Sequence, residues 1–260
     1  MPFVNNEGVK IHYEVEGEGL PLVLQHGFTG SLERWRAPGY LDALRHEYQL
    51  VLVDARGHGA SDKPYEPEEY DFRLMADDVI AVLDVLGISK AHFWGYSMGG
   101  RIGFFLATHS ADRFHSFVLG GVSPLFRREE RRDIEPAFEA MKAGGMEGYL
   151  VSVEQSAGPL PHEDKQRMLA NDPEALVAVW EAMNRLRSLR NRLQSIPVPC
   201  LLYVGEDDPR FAGAKEAVGS IPRATFFSLP GINHRQGMAR SDLVLPRVKA
   251  FLRKVRVAAA

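Results

Sequence analysis

The stretch Gly95-Tyr96-Ser97-Met98-Gly99 decides the fold, because it marks a sharp turn between a strand and a helix. The short, apolar and aromatic segment 91–94 is typical of a buried strand, and the largely apolar segment 100–108 predicts a helix packed on a sheet. A serine at such a turn is held in a strained backbone conformation with its hydroxyl exposed. The flanking glycines avoid collisions that larger residues would make. Ser97 is therefore a candidate nucleophile.

An acid and a base follow this serine in the chain, each just beyond a predicted strand. The apolar segment 198–204 runs into a turn that holds Asp207 and Asp208, and segment 224–229 runs into a loop that ends at His234. Ligands bind at this C-terminal edge of the strands in open α/β sheets. A serine nucleophile needs a base to take its proton and an acid to orient that base. His234 is the candidate base, and one of the two adjacent aspartates is the candidate acid.

A third junction between a strand and a loop offers donors for a developing negative charge. The apolar segment 22–25 leads into His26-Gly27-Phe28-Thr29-Gly30. The backbone N–H groups of Phe28 and Met98 are candidates for an oxyanion hole, because both follow strands that end near the predicted nucleophile.

Five motifs carry a resemblance to a known family: His26-Gly27-Phe28-Thr29-Gly30, Asp54-Ala55-Arg56-Gly57-His58-Gly59-Ala60-Ser61-Asp62, the Ser97 turn, Gly205-Glu206-Asp207-Asp208 and Gly231-Ile232-Asn233-His234. On these motifs the chain resembles the α/β-hydrolase superfamily. The resemblance implies an α/β fold with a mostly parallel sheet, helices on both faces and a small helical cap. It also implies a Ser-His-Asp hydrolase whose acid is Asp208, the fourth residue of Gly-x-x-Asp. Asn233 replaces a frequent glycine, and we expect left-handed backbone there, which asparagine tolerates.

Other polar residues in these motifs are expected to shape turns. His26 and His58 lie beside glycines, where histidines usually bond to the backbone. Asp54 ends a predicted strand, and ordering of the following loop is the expected role. The nine histidines lack the spacing of zinc ligands, so we expect no metal, and the proposed chemistry needs no cofactor.

Composition favours a soluble enzyme that acts on a small molecule. The formal net charge of −3 gives no electrostatic reason to expect nucleic acid as a partner. The lone cysteine, Cys200, excludes an intrachain disulfide and fits the reducing cytoplasm, which is the expected location. No segment has the pattern of a signal peptide or a membrane span, so we expect no membrane association.

Segment 124–196 breaks the alternation of strands and helices, and shows helical patches at 128–143 and 173–193. In the family, an insertion at this point forms a helical cap over the catalytic edge. We therefore predict a core of residues 1–123 and 197–260 and a cap of residues 124–196.

Three side chains are candidate substrate contacts: Tyr96, Trp180 and Arg185. Arg185 belongs to a group of arginines on one predicted helix, and no acidic residue occurs between Glu181 and Glu206. A guanidinium in the cleft would hold a substrate carboxylate through two parallel hydrogen bonds. The alternative is a solvated basic surface of that helix. The group comprises Arg185, Arg187, Arg190 and Arg192.

These features predict a serine hydrolase of the carboxylesterase or lactonase class that cleaves a small ester or lactone. Two alternatives stay open. The family also contains carbon–carbon bond hydrolases and a menaquinone-pathway synthase that eliminates pyruvate with the same three residues, and the segment from Gly95 to Arg101 resembles that synthase. The other alternative is a hydrolase-fold receptor that binds a ligand with little turnover.

Overall fold

The computed structural model describes residues 1–36, 39–131 and 134–259, and its centre is one eight-stranded sheet. The strand order across the sheet is β1-β2-β4-β3-β5-β6-β7-β8. The strands are Phe3–Asn6 (β1), Val9–Glu16 (β2), Leu20–Gln25 (β3), Tyr48–Val53 (β4), Ala91–Tyr96 (β5), Phe114–Gly120 (β6), Cys200–Gly205 (β7) and Ala224–Leu229 (β8).

Most of the sheet is parallel. Strands β4, β3, β5, β6, β7 and β8 run in one direction, with β3 paired to β5 and β5 to β6 at the centre. The hairpin of β1 and β2 pairs antiparallel and adds to the edge at β4. The predicted, mostly parallel sheet is confirmed. Such a sheet places the ends of β3, β5, β7 and β8 along one edge, where the candidate site residues follow.

The helices that follow these strands are Tyr40–Leu44 (α1), Phe72–Val85 (α2), Met98–His109 (α3), Glu135–Ala157 (α4), His162–Leu169 (α5), Pro173–Asn184 (α6), Phe211–Val218 (α7), His234–Ala239 (α8) and Ser241–Ala259 (α9). Among the described residues, none of them is both long and apolar enough to cross a membrane.

The core has two layers, one on each face of the sheet. Successive strand residues point to opposite faces, so Val23 packs with helices α2 and α3, while Leu22 and Leu24 pack with α1 and α9. All six residues of β5 and all six of β7 are buried. This two-sided burial explains why the central strands read as continuous apolar runs, and it confirms helices on both faces.

Between β6 and β7, the described residues form helices and turns without a strand. Leu189 N–H donates to Pro124 O at 2.9 Å, which ties the two ends of this segment together. Helix α4 bends at Gly144 and Gly145, where Gly145 has a φ of +62° that favours glycine. The division into a core of 1–123 and 197–260 and a cap of 124–196 fits this arrangement and stays our proposal.

Two helices in this segment differ from prediction. The patch predicted over 128–143 includes residues 132 and 133, which lie outside the described residues; a 3₁₀ turn precedes them, and α4 begins at Glu135 and continues to Ala157. The helix predicted over 173–193 ends at Asn184 instead. The reason is tertiary, because the N–H of Leu189 bonds to Pro124 O rather than to a carbonyl of its own helix. A separate 3₁₀ helix covers Arg190–Ser195.

Candidate active site

Ser97 lies at the turn between β5 and α3, at the C-terminal edge of the sheet. Its φ of 55° and ψ of −111° are unusual for a residue with a side chain, and its N–H donates to Gly120 O at 2.8 Å. A Cβ atom at Gly95 would lie 2.3 Å from Gly99 O, and one at Gly99 would lie 2.2 Å from Gln25 O. No side chain fits at such distances, so the turn requires both glycines.

The structure brings His234 and Asp208 to this serine in a hydrogen-bonded chain. His234 Nε2 lies 2.9 Å from Ser97 Oγ, and His234 Nδ1 lies 2.6 Å from Asp208 Oδ2. An ionised carboxylate only accepts hydrogen bonds, so Nδ1 carries the proton and Nε2 is left to accept from the serine hydroxyl. This tautomer is the one that can take a proton from Ser97.

Asp208 is held as a buried anion. Burial alone would raise its pKa, but the charge and hydrogen bond of His234, together with Arg210, outweigh burial and hold the pKa of Asp208 well below its usual range. The N–H and Nη1 of Arg210 both bond to Asp208 Oδ1, at 2.9 and 3.0 Å. The neighbouring Asp207 is exposed. Of the two candidate acids, Asp208 is the one that is buried and hydrogen-bonded to the imidazole.

Asn233 caps the helix that begins with His234. Its side-chain Oδ1 accepts from the N–H groups of Arg235 and Gln236, and the Gln236 side chain accepts from Asn233 N–H in return. The Asn233 backbone is extended, with φ of −87°, while Gly231 takes the left-handed conformation. The expectation of left-handed backbone at Asn233 is wrong; asparagine is favourable here because it satisfies orphan N–H groups at a helix start.

Tyr96 contacts both the backbone and the ring of His234. Its hydroxyl donates to the carbonyl oxygen of His234 at 2.5 Å, and its ring stacks against the His234 ring with centroids 5.5 Å apart. Tyr96 also lines the cavity beside Ser97. Because its hydroxyl is already bonded to the backbone, Tyr96 fits a positioning role better than the predicted substrate contact.

The candidate oxyanion donors lie on either side of the nucleophile. A Cβ atom at Gly27 would lie 3.2 Å from Ser97 Cβ, so the turn that holds Phe28 passes directly beside the serine. Met98 is the first residue of α3. Within the described part of the chain, neither Phe28 N–H nor Met98 N–H donates to another protein group. Both donors therefore remain available to a ligand.

The buried histidines nearby have structural bonds. His26 Nδ1 donates to Gly27 O at 2.8 Å, and His26 Nε2 accepts from Ala55 N–H at 3.0 Å, so both ring nitrogens are used. Asp54 accepts from the backbone N–H groups of Leu32 and Ala60, as expected for a residue that orders loops. Burial lowers the pKa of His58 to about 3, so this imidazole is neutral near pH 7.

A cavity of about 560 Å³ opens in front of Ser97 and His234. This is within the usual size range for small-molecule sites. The part facing the helices between β6 and β7 is mainly apolar, whereas the rest carries several arginines. Its apolar lining includes Phe138, Tyr149, Val153, Leu160, Met168 and Met183.

Two predicted substrate contacts lie outside this cavity. Trp180 packs behind the wall, with its ring stacked on that of Phe138 at a centroid distance of 3.6 Å and an angle of 5°. Arg185 is exposed beyond the end of α6 and forms an ion pair with Glu68. A substrate contact by Arg185 does not fit this position. The absence of nearby acidic residues in the sequence was misleading, because the partners come from distant segments: Arg190, for example, pairs with Glu216.

Five arginines line the cavity, and the sequence motifs assigned none of them to the site: Arg34, Arg101, Arg167, Arg210 and Arg235. Arg210 follows the candidate acid by two residues, and Arg235 follows the candidate base directly, so proximity in sequence to those residues was the available signal. Arg34 had no such signal, because the long connection after β3 brings it to the site. Among the described residues, no three histidine, cysteine or acidic side chains are grouped as metal ligands.

Comparisons with known proteins agree with this geometry. Residues 21–144 match the family described as alpha/beta hydrolase fold. The chain is 27% identical to a provisionally named 2-succinyl-6-hydroxy-2,4-cyclohexadiene-1-carboxylate synthase of Bacillus subtilis, over 94% of this chain and 96% of that protein. It is 29% identical to 3-oxoadipate enol-lactonase 1 of Acinetobacter baylyi, over 79% and 78% respectively.

A solved structure is similar over almost the full length. The enol-lactonase from Burkholderia xenovorans LB400 superimposes with a TM-score of 0.83 at 26% identity, covering 96% of this chain and 99% of that one. The sheet order, the serine at the turn after β5 and these matches lead to one conclusion. This chain has the α/β-hydrolase fold.

Proposed function

We propose that this protein is a serine hydrolase that cleaves a small ester or lactone through an acyl-enzyme. The observation that carries the proposal is the continuous hydrogen-bonded chain from Ser97 Oγ through His234 to the buried Asp208, with distances of 2.9 and 2.6 Å. A hydroxyl so placed can lose its proton to a neutral imidazole as it attacks a carbonyl. The enol-lactonase relatives support an ester or lactone as the substrate.

In the proposed first step, Ser97 Oγ bonds to the substrate carbonyl carbon while its proton moves to His234 Nε2. The carbonyl oxygen becomes an anion, and the N–H groups of Phe28 and Met98 stabilise it. Asp208 stabilises the imidazolium that forms. Collapse of the intermediate breaks the bond to the alcohol oxygen, which takes the proton from His234.

In the second step, water replaces the alcohol. His234 takes a proton from the water while the water oxygen attacks the acyl-enzyme carbonyl. The bond to Ser97 Oγ then breaks, and Oγ takes the proton back from His234. The products are a carboxylic acid and an alcohol, which stay in one molecule when the substrate is a lactone. The apolar side chains that α4 and α6 contribute to the cavity would limit the access of bulk water to the reaction, which strengthens the electrostatic effects in the site.

The proposal is tested by replacing the nucleophile. Ser97→Ala should lower kcat for the best p-nitrophenyl ester by a factor on the order of 10⁶, because the bond-forming atom is gone. Its free energy of unfolding should stay close to that of the wild type, because alanine keeps the Cβ atom and the same backbone conformation and loses only the hydroxyl that contacts His234. A fluorophosphonate should label Ser97 in the wild type and nothing in the variant. Labelling of another serine, or retention of more than a few per cent of the activity, would contradict the mechanism.

A second candidate function is cleavage of a carbon–carbon bond, or an elimination, by the same three residues. The similarity to the Bacillus subtilis synthase over 94% of this chain favours it. A panel of short acyl esters, lactones and carboxylated dienes separates the two functions. Turnover of the dienes alone would favour the second function, and slow turnover of every substrate would favour a ligand-binding receptor.

A further inference from the structure

Arg235 is a cation in the cavity without a protein anion. It follows His234 in α8, its side chain is half-buried, and it lines the cavity together with Tyr149. Among the described residues, no carboxylate lies within 4.0 Å of its guanidinium, and its side chain donates to no protein acceptor. Three other arginines of the cavity each contact an aspartate, unlike Arg235: Arg34, Arg167 and Arg210.

The charges around Arg235 leave an excess of one cation. Asp164 accepts from both Arg34 and Arg167, at 2.9 and 2.7 Å. Glu163 lies 3.7 Å from Arg167, and Glu154 pairs with Lys165 at 2.8 Å. In and around this part of the cavity, four cations therefore meet three carboxylates, and the cation left without an ion pair is Arg235. The seven groups are Arg34, Arg167, Arg235, Lys165, Glu154, Glu163 and Asp164.

An uncompensated cation in this position is unfavourable for the free protein. Burial removes water from the guanidinium, and the nearby charge of Arg34 repels it; both effects lower the pKa of Arg235, against the attraction of Tyr149, Asp164 and Glu154. A guanidinium is well suited to hold a carboxylate through two parallel hydrogen bonds. The attraction and hydrogen bonds of a ligand carboxylate would thus offset both the repulsion by Arg34 and the cost of burying the guanidinium.

The surrounding groups indicate what kind of molecule carries that carboxylate. The Tyr149 hydroxyl makes no hydrogen bond to another described residue, and burial, opposed by the charge of Arg235, raises its pKa to about 12, so it is a neutral donor. The wall beside it is formed by Phe138, Val153 and Leu160, which suit an apolar chain. Ser97 and both residues that carry the candidate oxyanion donors, Phe28 and Met98, line the same cavity.

We propose that Arg235 and the Tyr149 hydroxyl form a subsite for a single carboxylate, and that the preferred substrate is an ester or lactone with one free carboxylate on an apolar chain. This inference rests on the proposed hydrolase function. The residue that would recognise the substrate carboxylate is then Arg235, next to the candidate base His234. This replaces the sequence-based expectation that one of the arginines at positions 185–192 has that role.

The test compares p-nitrophenyl hydrogen adipate with its methyl ester, in which one methyl group replaces the negative charge. We expect the wild type to prefer the charged substrate. Arg235→Met should lower kcat/KM for the charged substrate on the order of 30-fold, and for the methyl ester by less than about 3-fold. Arg235→Lys should recover part of the preference, because the charge remains but the two-pronged geometry is lost. Tyr149→Phe should also reduce the preference, by a smaller factor.

Arg240→Met is the matched control, because it removes one positive charge from an exposed arginine that pairs with Asp242 outside the cavity. It should leave both values of kcat/KM unchanged. Retained activity of Arg235→Met on the methyl ester shows that this variant is folded. Equal use of both substrates by wild type and Arg235→Met would overturn the subsite and leave the hydrolase intact. No Ser97-dependent turnover of either substrate by the wild type would contradict the proposed function itself.

Discussion

At the scale of single residues, two neighbouring aspartates show how burial and contact select a chemical role. Asp207 and Asp208 have the same side chain, but only Asp208 is enclosed and bonded to His234. Arg210 then uses its N–H and its guanidinium to hold the other carboxylate oxygen. The carboxylate is thus fixed on both oxygens, and it orients the imidazole for proton transfer.

This difference predicts unequal effects of the same substitution. Asp208→Asn should lower kcat by a factor on the order of 10⁴, because the amide favours the wrong tautomer of His234. Asp207→Asn, which changes an exposed side chain at the cavity mouth, should change kcat by less than about 3-fold. Steady-state kinetics on one p-nitrophenyl ester measures both. A loss at Asp207 equal to that at Asp208 would show that the acid has been assigned to the wrong residue.

The sequence predicted Ser97, His234 and the pair of aspartates because each follows a strand whose apolar pattern is local. It did not predict Arg34 or the fate of Arg185, because partners such as Glu68 and Asp164 are more than a hundred residues away. Asn233 was expected to take a left-handed backbone, and instead its side chain caps α8 by accepting from the N–H groups of Arg235 and Gln236. The catalytic candidates could be identified from the sequence, whereas the ion-pair partners of the arginines depend on the fold.

At the scale of elements, the sheet and the helices that follow its strands match expectation, since alternation and apolar runs are local signals. The end of α6 at Asn184 was not predictable in this way. Leu186, Leu189 and Leu193 keep helical spacing beyond it, but a tertiary hydrogen bond to Pro124 redirects the chain. Spacing alone cannot reveal that competition.

Helices α4 and α6 cover one side of the cavity, and one aromatic stack packs them against each other. Trp180 lies against Phe138, and Phe138 in turn contacts Phe28 with a centroid distance of 5.1 Å. Trp180 therefore acts on the cavity through Phe138. The Trp180 side chain holds in place the Phe138 ring, which a substrate in the cavity would contact.

Removal of this support should be costly. Trp180→Ala should lower the free energy of unfolding by about 3–5 kcal/mol, as large-to-small substitutions of buried aromatics do. Chemical denaturation measures the loss. Val151→Ala on the exposed side of α4 is the control, and it should change stability by less than about 0.5 kcal/mol. If Trp180→Ala lowers the free energy of unfolding by less than about 1 kcal/mol, the packing of α4 on α6 does not depend on this stack.

At the scale of the whole molecule, two histidines are buried in neutral form, His58 in the loop after β4 and His92 in β5. Burial, together with the neighbouring His26, lowers the pKa of His58 to about 3, and burial with His115 lowers the pKa of His92 to about 4. His92 is further fixed by a hydrogen bond of 2.8 Å between Nδ1 and Ser116 Oγ. In the unfolded chain these imidazoles have a pKa near 6.5.

The folded protein should therefore lose stability in mild acid. Between about pH 6.5 and pH 4 the unfolded chain binds protons that the folded chain does not, so the free energy of unfolding falls as pH falls. Each histidine contributes about 1.4 kcal/mol per pH unit in this window, and the two together about 2–3 kcal/mol between about pH 7 and pH 5.5. The lowered pKa values of Asp54 and Asp208 extend the loss below about pH 4.

Denaturation in urea at several pH values measures this dependence. His92→Gln should reduce the slope by about one proton, because one buried neutral imidazole is removed, whereas the exposed His46→Gln should leave the slope as in the wild type. A free energy of unfolding that stays constant between about pH 7 and pH 5.5 would show that the buried histidines gain protons without unfolding. The loss of stability would then have to come from the carboxylates alone, and would begin only below about pH 4, where the unfolded aspartates start to take up protons.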